Sequence, residues 1–455
     1  MKIKQALLLF FAGITALTAQ AQTFKCEAGF KALEEKMKAK SYDDAVPLLP
    51  ALIKNCPKYN AELYAYGETA ILNKLLYTRV EKDKKTLAQD LITLYDAQEK
   101  NFPNTGAAVK KAMLLNDKKL GTDAEVYTLL NKAFETAPTT FKDYNSLQLY
   151  FAQYLKAYET GTTGITHEQF IARFGDVVAQ VAAVKSAVAE KRAAINAKLQ
   201  SEAITPEEKQ YLTTTATTER TLDAVATNMT KASSKYLNCE KLEQYYAANF
   251  EKNRSNAGWL QGMVSVMYIN KCYKSDVLFN GATTLNTLKP GYEGANRLGY
   301  LSQKRNALPE AIKYYDQAAE LQQDPELKAN LYNDIASLYR ISDKAQAKKY
   351  IEKSAAANPK SGKPYLMLAS LYTSVSKECN LTDFENKTLY FLAIEALKKA
   401  EAADVTTKAT VAKLTQDYTK NLPDKKDAKA AKKGKGDVVT YGCWINERVT
   451  LPKLK

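Results

Sequence analysis

An all-α fold built from repeated helix pairs is what this sequence predicts, and three observations predict it. The stretch 292–372 writes one helix-pair pattern more than once: Tyr332, Ile335, Ala336 and Tyr339, then Ala347, Ile351 and Ser354, closing at Pro359. Tyr365, Leu368, Ala369 and Tyr372 repeat the first-helix half 33 residues on. Upstream, Leu298 and Gly299 precede Ala311, Tyr315 and Ala318, and Asp324 with Pro325 ends that unit. The composition agrees, with only 18 Gly and 13 Pro in 455 residues and an abundance of Ala, Leu, Lys, Glu and Tyr. Small residues fall where two helices must cross closely, and aromatics stand beside them as knobs. An ordinary helical core has no reason to reuse a fixed period.

This small/aromatic pattern resembles the tetratricopeptide repeat (TPR), a helix-turn-helix unit of about 34 residues. One such hairpin cannot bury its apolar face alone, so the resemblance implies a right-handed helical solenoid of stacked antiparallel helix pairs. The best-formed units are 292–325, 326–359 and 360–404. Repeats of this family present a groove from first-helix side chains. Asn330, Asn333, Asp334 and Ser337 are the polar first-helix positions expected to meet a partner there.

Taken in order, residues 1–21 read as a secretory signal peptide: Lys2 and Lys4, an apolar run from Ala6 to Leu17, then Ala19, Gln20 and Ala21. The run is too short for a comfortable membrane span, and Thr23, Phe24 and Lys25 before Cys26 are not a lipobox. The expectation is a mature chain that is periplasmic or secreted. TPR-like hairpins are expected over 22–142, with Ser41 and Asp44 as a capping-box-like helix start and later hairpins ending near Pro103 and Pro138. Residues 143–236 break the period. They hold a helix from Asp143 to Glu159 and then two long antiparallel helices, about 166–200 and 206–236, started by Thr166 with Gln169 and by Thr205 with Glu208. Their stripe of Val177, Val181, Val184, Val188, Ile195 and Leu199 serves equally a projecting hairpin or one that packs on its neighbours.

From 237 to 422 the hairpins resume, closed by a capping helix at 406–421. Residues 423–437, with six lysines, read as a flexible linker. The strand formers of 438–455 read as a small β-hairpin. Gly442, Trp444, Ile445 and Glu447 resemble a Gly-x-Trp-Ile-x-Glu tail found on certain exported bacterial TPR proteins, a resemblance that brings no substrate or catalytic residue with it. Trp444 is read as a packing residue on the last repeat, with a partner contact as the rival role. An exported chain permits disulfides among its six cysteines. Cys26 opens one helix and Cys56 ends the next; Cys239 and Cys272 sit at comparable helix ends. Those two pairs are therefore expected, and Cys379 with Cys443 would staple the tail to the last repeat.

Chemistry is harder to find. The one histidine, His167, sits at a helix start, and there is no nucleophile elbow, His-Glu-x-x-His site, phosphate loop or dinucleotide fingerprint. No catalytic residue, cofactor or metal is expected. The formal net charge of +15 is spread along helices without any nucleic-acid module, so it reads as a solvated basic surface. The expected function is a non-enzymatic protein-protein interaction scaffold of the cell envelope, holding a peptide or helix in the TPR groove. The alternative is a glycan or cell-wall binder, suggested by 29 tyrosines, basicity and export.

Overall fold

The structure, a computed structural model, describes residues 25–201, 203–374 and 379–454. The expected signal peptide lies outside the described residues. The chain divides between Thr163 and Gly164 into two units, each with its own core. This boundary differs from the expected one at 142/143, because the helix at 144–160 packs with the elements before it.

In the first unit, α1 (Cys26–Lys38), α2 (Tyr42–Ala45) and α3 (Leu49–Asn55) precede the pairs α4 (Glu62–Tyr77) with α5 (Glu81–Asn101) and α6 (Ala107–Lys118) with α7 (Asp123–Thr136), then α8 (Tyr144–Thr160). Phe30, Leu33, Leu52, Tyr64, Leu91 and Leu94 share one core. The capping box expected at Ser41 does not form. Pro47 and Pro50 lack the amide donors of a continuous helix, so the chain makes four helical residues, a 3-10 turn at Val46–Leu48, and only then α3. The Asp44 carboxylate turns to Lys36 at 3.1 Å instead.

The second unit opens with the two long helices, α9 (His167–Ser201) and α10 (Pro206–Ser233). Both are started as their sequences require. Thr166 and Gln169 bond reciprocally at 2.9 and 3.2 Å, and Thr205 forms a capping box with Glu208. Through Val184 the stripe of α9 is buried, much of it against α12 (Ala257–Ile269). There Gly262 lies so near Gly175 that a Cβ would stand 2.5 Å from the Gly175 carbonyl oxygen. Beyond Val184, α9 and α10 are joined by the ion pairs Lys185–Asp223 at 2.8 Å, Arg192–Glu219 at 3.2 Å and Lys198–Glu208 at 3.1 Å and by the Tyr211 hydroxyl donating to the Val188 carbonyl at 3.2 Å, and Ile195 of the stripe is again buried.

From α11 (Cys239–Asn253), through α12 and α13 (Asp276–Leu288), the chain enters three pairs: α14 (Tyr292–Lys304) with α15 (Leu308–Leu321), α16 (Pro325–Tyr339) with α17 (Lys344–Ala357), and α18 (Lys363–Tyr372) with α19 (Asp383–Ala403). Each second helix also packs on the next first helix. The partners are antiparallel: Ser302 meets Glu310 near the turn at 3.2 Å, and Gly299 meets the Tyr315 ring farther from it. A Cβ on Gly299 would stand 2.6 Å from that ring, which is why the small position precedes the aromatic one in the repeat.

After α20 (Lys408–Thr419), the expected linker is not structureless. Asp424 caps a short helix, α21 (Lys425–Ala430), whose Asp427 takes Lys387 of α19 at 2.7 Å and whose Ala428 joins the core. Capping and one buried methyl hold down a lysine-rich segment that composition alone assigns to solvent. The strands β1 (Val438–Thr440) and β2 (Arg448–Thr450) pair antiparallel with Val439 opposite Val449, both facing the core.

Candidate functional site

The best repeats place Asn330, Asn333, Asp334 and Ser337 on α16, but they do not present all four alike. Asp334 and Ser337 are exposed, Asn330 is half-buried and Asn333 is buried at 1% exposure. The Ser337 hydroxyl donates to the Asn333 carbonyl at 2.8 Å on its own helix. Asn333 therefore cannot meet a partner without movement, a correction to the expectation, and among the described residues neither its amide nitrogen nor its side-chain oxygen has a partner. The reason is register. Successive helix positions point about 100° apart, so Asn333 turns to the packed side while Asp334 beside it does not, and only a fold can say which of three adjacent polar and aromatic positions is covered.

Asp334 is the member with electrostatic consequence. It makes no hydrogen bond or ion pair among the described residues, and desolvation by the surrounding protein holds its carboxyl above the usual range, with Lys363 of α18 opposing the shift. Tyr292 and Tyr315, whose hydroxyls feel the Asp334 charge, bound it on the α14–α15 side.

Trp444 is taken up by the last repeats. Its ring stacks on Tyr372 with centroids 6.1 Å apart, and Lys344 stands 5.9 Å over it. Ile445 is fully buried, and the Lys348 ammonium donates to the Ile445 carbonyl at 2.7 Å and to Glu447 at 2.8 Å. Tyr372 donates to the same Glu447 oxygen at 3.2 Å. Tyr441 donates to the Glu385 carbonyl at 3.0 Å and bonds the Thr388 hydroxyl. Trp444, Ile445 and Glu447 of the Gly-x-Trp-Ile-x-Glu core are thus held against α17, α18 or α19. Sequence alone does not point to Lys348. Its sequence signal is faint, a lysine directly after the small position Ala347 of a second helix.

The cysteines meet in three pairs at disulfide distance, Cys26–Cys56, Cys239–Cys272 and Cys379–Cys443, with Cα separations of 5.6, 5.5 and 5.7 Å. Each of the first two closes a single antiparallel hairpin, and the third fastens the tail. Among the described residues no group of His, Cys, Asp and Glu could hold a metal, and no helix is long and apolar enough to cross a membrane. His167 stands at the start of α9, its imidazole held below the ordinary value by burial and by Lys241. Tyrosines largely pack on one another: Tyr268, Tyr273 and Tyr300 form one edge-to-face cluster, and Tyr339 stacks on Tyr350.

No family model and no curated protein matches the sequence. Solved structures similar to it include the crystal structure of the yeast Tom70, at 13% identity over 86% of this chain and 99% of that one with a TM-score of 0.20. Another is the crystal structure of the APC/C hetero-tetramer Cut9-Hcn1, at 11% identity over 87% of this chain and 96% of that one with a TM-score of 0.26.

Proposed function

We propose that the protein is a non-enzymatic interaction scaffold of the cell envelope that holds an extended peptide or a helix of a partner protein against the first helices of its repeats. One observation carries this reading: Asp334, on the first helix of the best repeat, is exposed, held above the usual carboxyl range by desolvation, and without a hydrogen bond or ion pair among the described residues. Leaving a carboxylate so placed costs stability, and a ligand donor removes that cost. Three cysteine pairs and the absence, among the described residues, of a membrane-crossing helix are compatible with an exported chain. Of the expected contacts, Asp334, Ser337 and Asn330 remain; Asn333 and Trp444 act as packing residues.

The test is capture of proteins by the tagged mature chain from solubilised envelope of its source, comparing wild type with Asp334→Lys and with Asp417→Lys on α20 as a distant control. The expected result is enrichment of one or two proteins that Asp334→Lys abolishes and Asp417→Lys leaves intact. Capture indifferent to Asp334→Lys, or retention of carbohydrate and no protein, overturns the reading.

A further inference from the structure

Cys239 is the first residue of α11 and Cys272 lies just beyond the end of α12, so this pair closes the hairpin at one end. An open cleft of 400 Å³ lies over it, lined by both cysteines. Cys239 is half-buried while Cys272 is 5% exposed, so a molecule entering the cleft meets the Cys239 sulfur first. The hairpin does not hang on that bond alone. α11 buries Leu242 and Tyr246 and packs on α12 and α13.

Charge gives the cleft its chemistry. Lys271, Lys274 and Lys304 line it, all exposed and none in an ion pair among the described residues. Lys304 stands 5.0 Å over the Tyr300 ring, which keeps it at the rim. One carboxylate opposes them: Glu243, one helical turn from Cys239 on α11, also outside any ion pair. The remaining charges nearby offset one another, Glu240 beside Lys241 and Asp276 with Arg305 at 2.5 Å. The Ser275 hydroxyl is engaged as the cap of α13, accepting from the Leu278 amide at 3.3 Å, and Tyr273 is a wall packed edge-on against Tyr268 and Tyr300. Three ammonium groups against one carboxylate leave the cleft cationic, and a cleft of one sign concentrates ions of the other. Positive charge beside sulfur also stabilises the thiolate that leaves when a disulfide is broken.

We propose that this cleft is a modification site, at which a small thiol bearing carboxylates forms a mixed disulfide with Cys239. The incoming thiolate attacks Cys239 Sγ. Its electron pair makes the new S–S bond, and the pair of the old bond leaves with Cys272 Sγ as a thiolate. One thiolate is consumed and one released, so the exchange needs no other oxidant or reductant. The carboxylates of the adduct rest among the three lysines. When the Cys272 thiolate takes a proton from water, the Asn270 carbonyl, 3.8 Å from its sulfur, is placed to accept from the thiol. The site is independent of whatever partner the repeats hold.

The test uses the purified, oxidised full chain with glutathione as the anionic thiol and cysteamine as the cationic one. Free thiols are trapped at early times with N-ethylmaleimide, adducts are located by peptide mass spectrometry, and rates are compared at equal thiolate concentration. Glutathione is expected on Cys239 and the maleimide label on Cys272. The ratio of the glutathione rate to the cysteamine rate at this pair should fall about tenfold or more in the double variant Lys274→Glu, Lys304→Glu, the scale on which a charged cleft alters encounter. Glu243→Gln should raise it. Circular dichroism checks that each variant is folded. In the wild type the same ratio should fall as salt rises from about 0.01 to 1 M, which shortens the Debye length from about 30 to 3 Å, a readout that needs no variant. A ratio indifferent to salt and to both variants overturns the proposal. So does glutathione on Cys272, or the failure of this pair to form any adduct.

Discussion

Asn333 carries the clearest conflict between a side chain and its surroundings. It is 1% exposed, and neither polar atom of its amide has a partner among the described residues. A buried amide left unpaired costs its desolvation without return. Asn333→Leu, close in volume and free of polar atoms, is therefore expected to raise stability by about 1–2 kcal/mol in urea unfolding; a loss would mean that the amide is satisfied in solution. Asp334 makes a related prediction with a pH signature. Its carboxyl titrates above the ordinary value of 3.8 because desolvation disfavours the charged form. The folded chain thus holds this proton more tightly than the unfolded chain does. The stability that Asp334 contributes is present below its unfolded pKa and lost as pH rises through the folded pKa. Asp334→Asn should raise the thermal midpoint at neutral pH, with the gain vanishing in acid below about 3.8, while partner capture falls. A gain independent of pH would assign the effect to packing instead.

The long helix pair is decided by one contact rather than by propensity. Its N-terminal half is held where Gly175 and Gly262 let the backbones of α9 and α12 approach closely, and no side chain has room between them. Gly262→Ala would force the two helices apart, since the obstruction at 2.5 Å is a carbonyl oxygen rather than a flexible side chain. A loss of about 2–3 kcal/mol in urea unfolding is expected, together with faster hydrogen exchange along α9 before Val184. The half beyond Val184 should exchange as before, because its interhelical ion pairs with α10 do not depend on that contact. An unchanged exchange pattern would show that α9 does not need the close approach.

Each unit of the chain has its own core and its own hairpin-closing disulfide, Cys26–Cys56 in the first and Cys239–Cys272 in the second. Closing loops of 30 and 33 residues contributes about 3–4 kcal/mol apiece by chain entropy. Calorimetry of the whole chain should show two transitions, with the double serine variant at 26 and 56 lowering one and the variant at 239 and 272 lowering the other. A single transition moved by both variants would mean that the units unfold together. Much of this architecture was legible in the sequence, because it depends on local rules. Small residues beside aromatics at a fixed period specify helix pairs, Thr205 with Glu208 specifies a helix start, and cysteines at adjoining helix ends specify hairpin closures. Ser41 does start a helix, but Pro47 and Pro50 limit it to four residues and its side chain makes no capping bond. The lysine-rich stretch after Pro423 folds against expectation because one cap and one methyl outweigh composition when a core lies beside them. What only the tertiary structure decided is which polar residues face into a cavity and which are covered. Asn333 and Asp334 are neighbours in sequence, yet one is buried and one is exposed. Periodicity is a property of the chain alone; desolvation is set by everything that surrounds a group, and that exists only once the helices have packed.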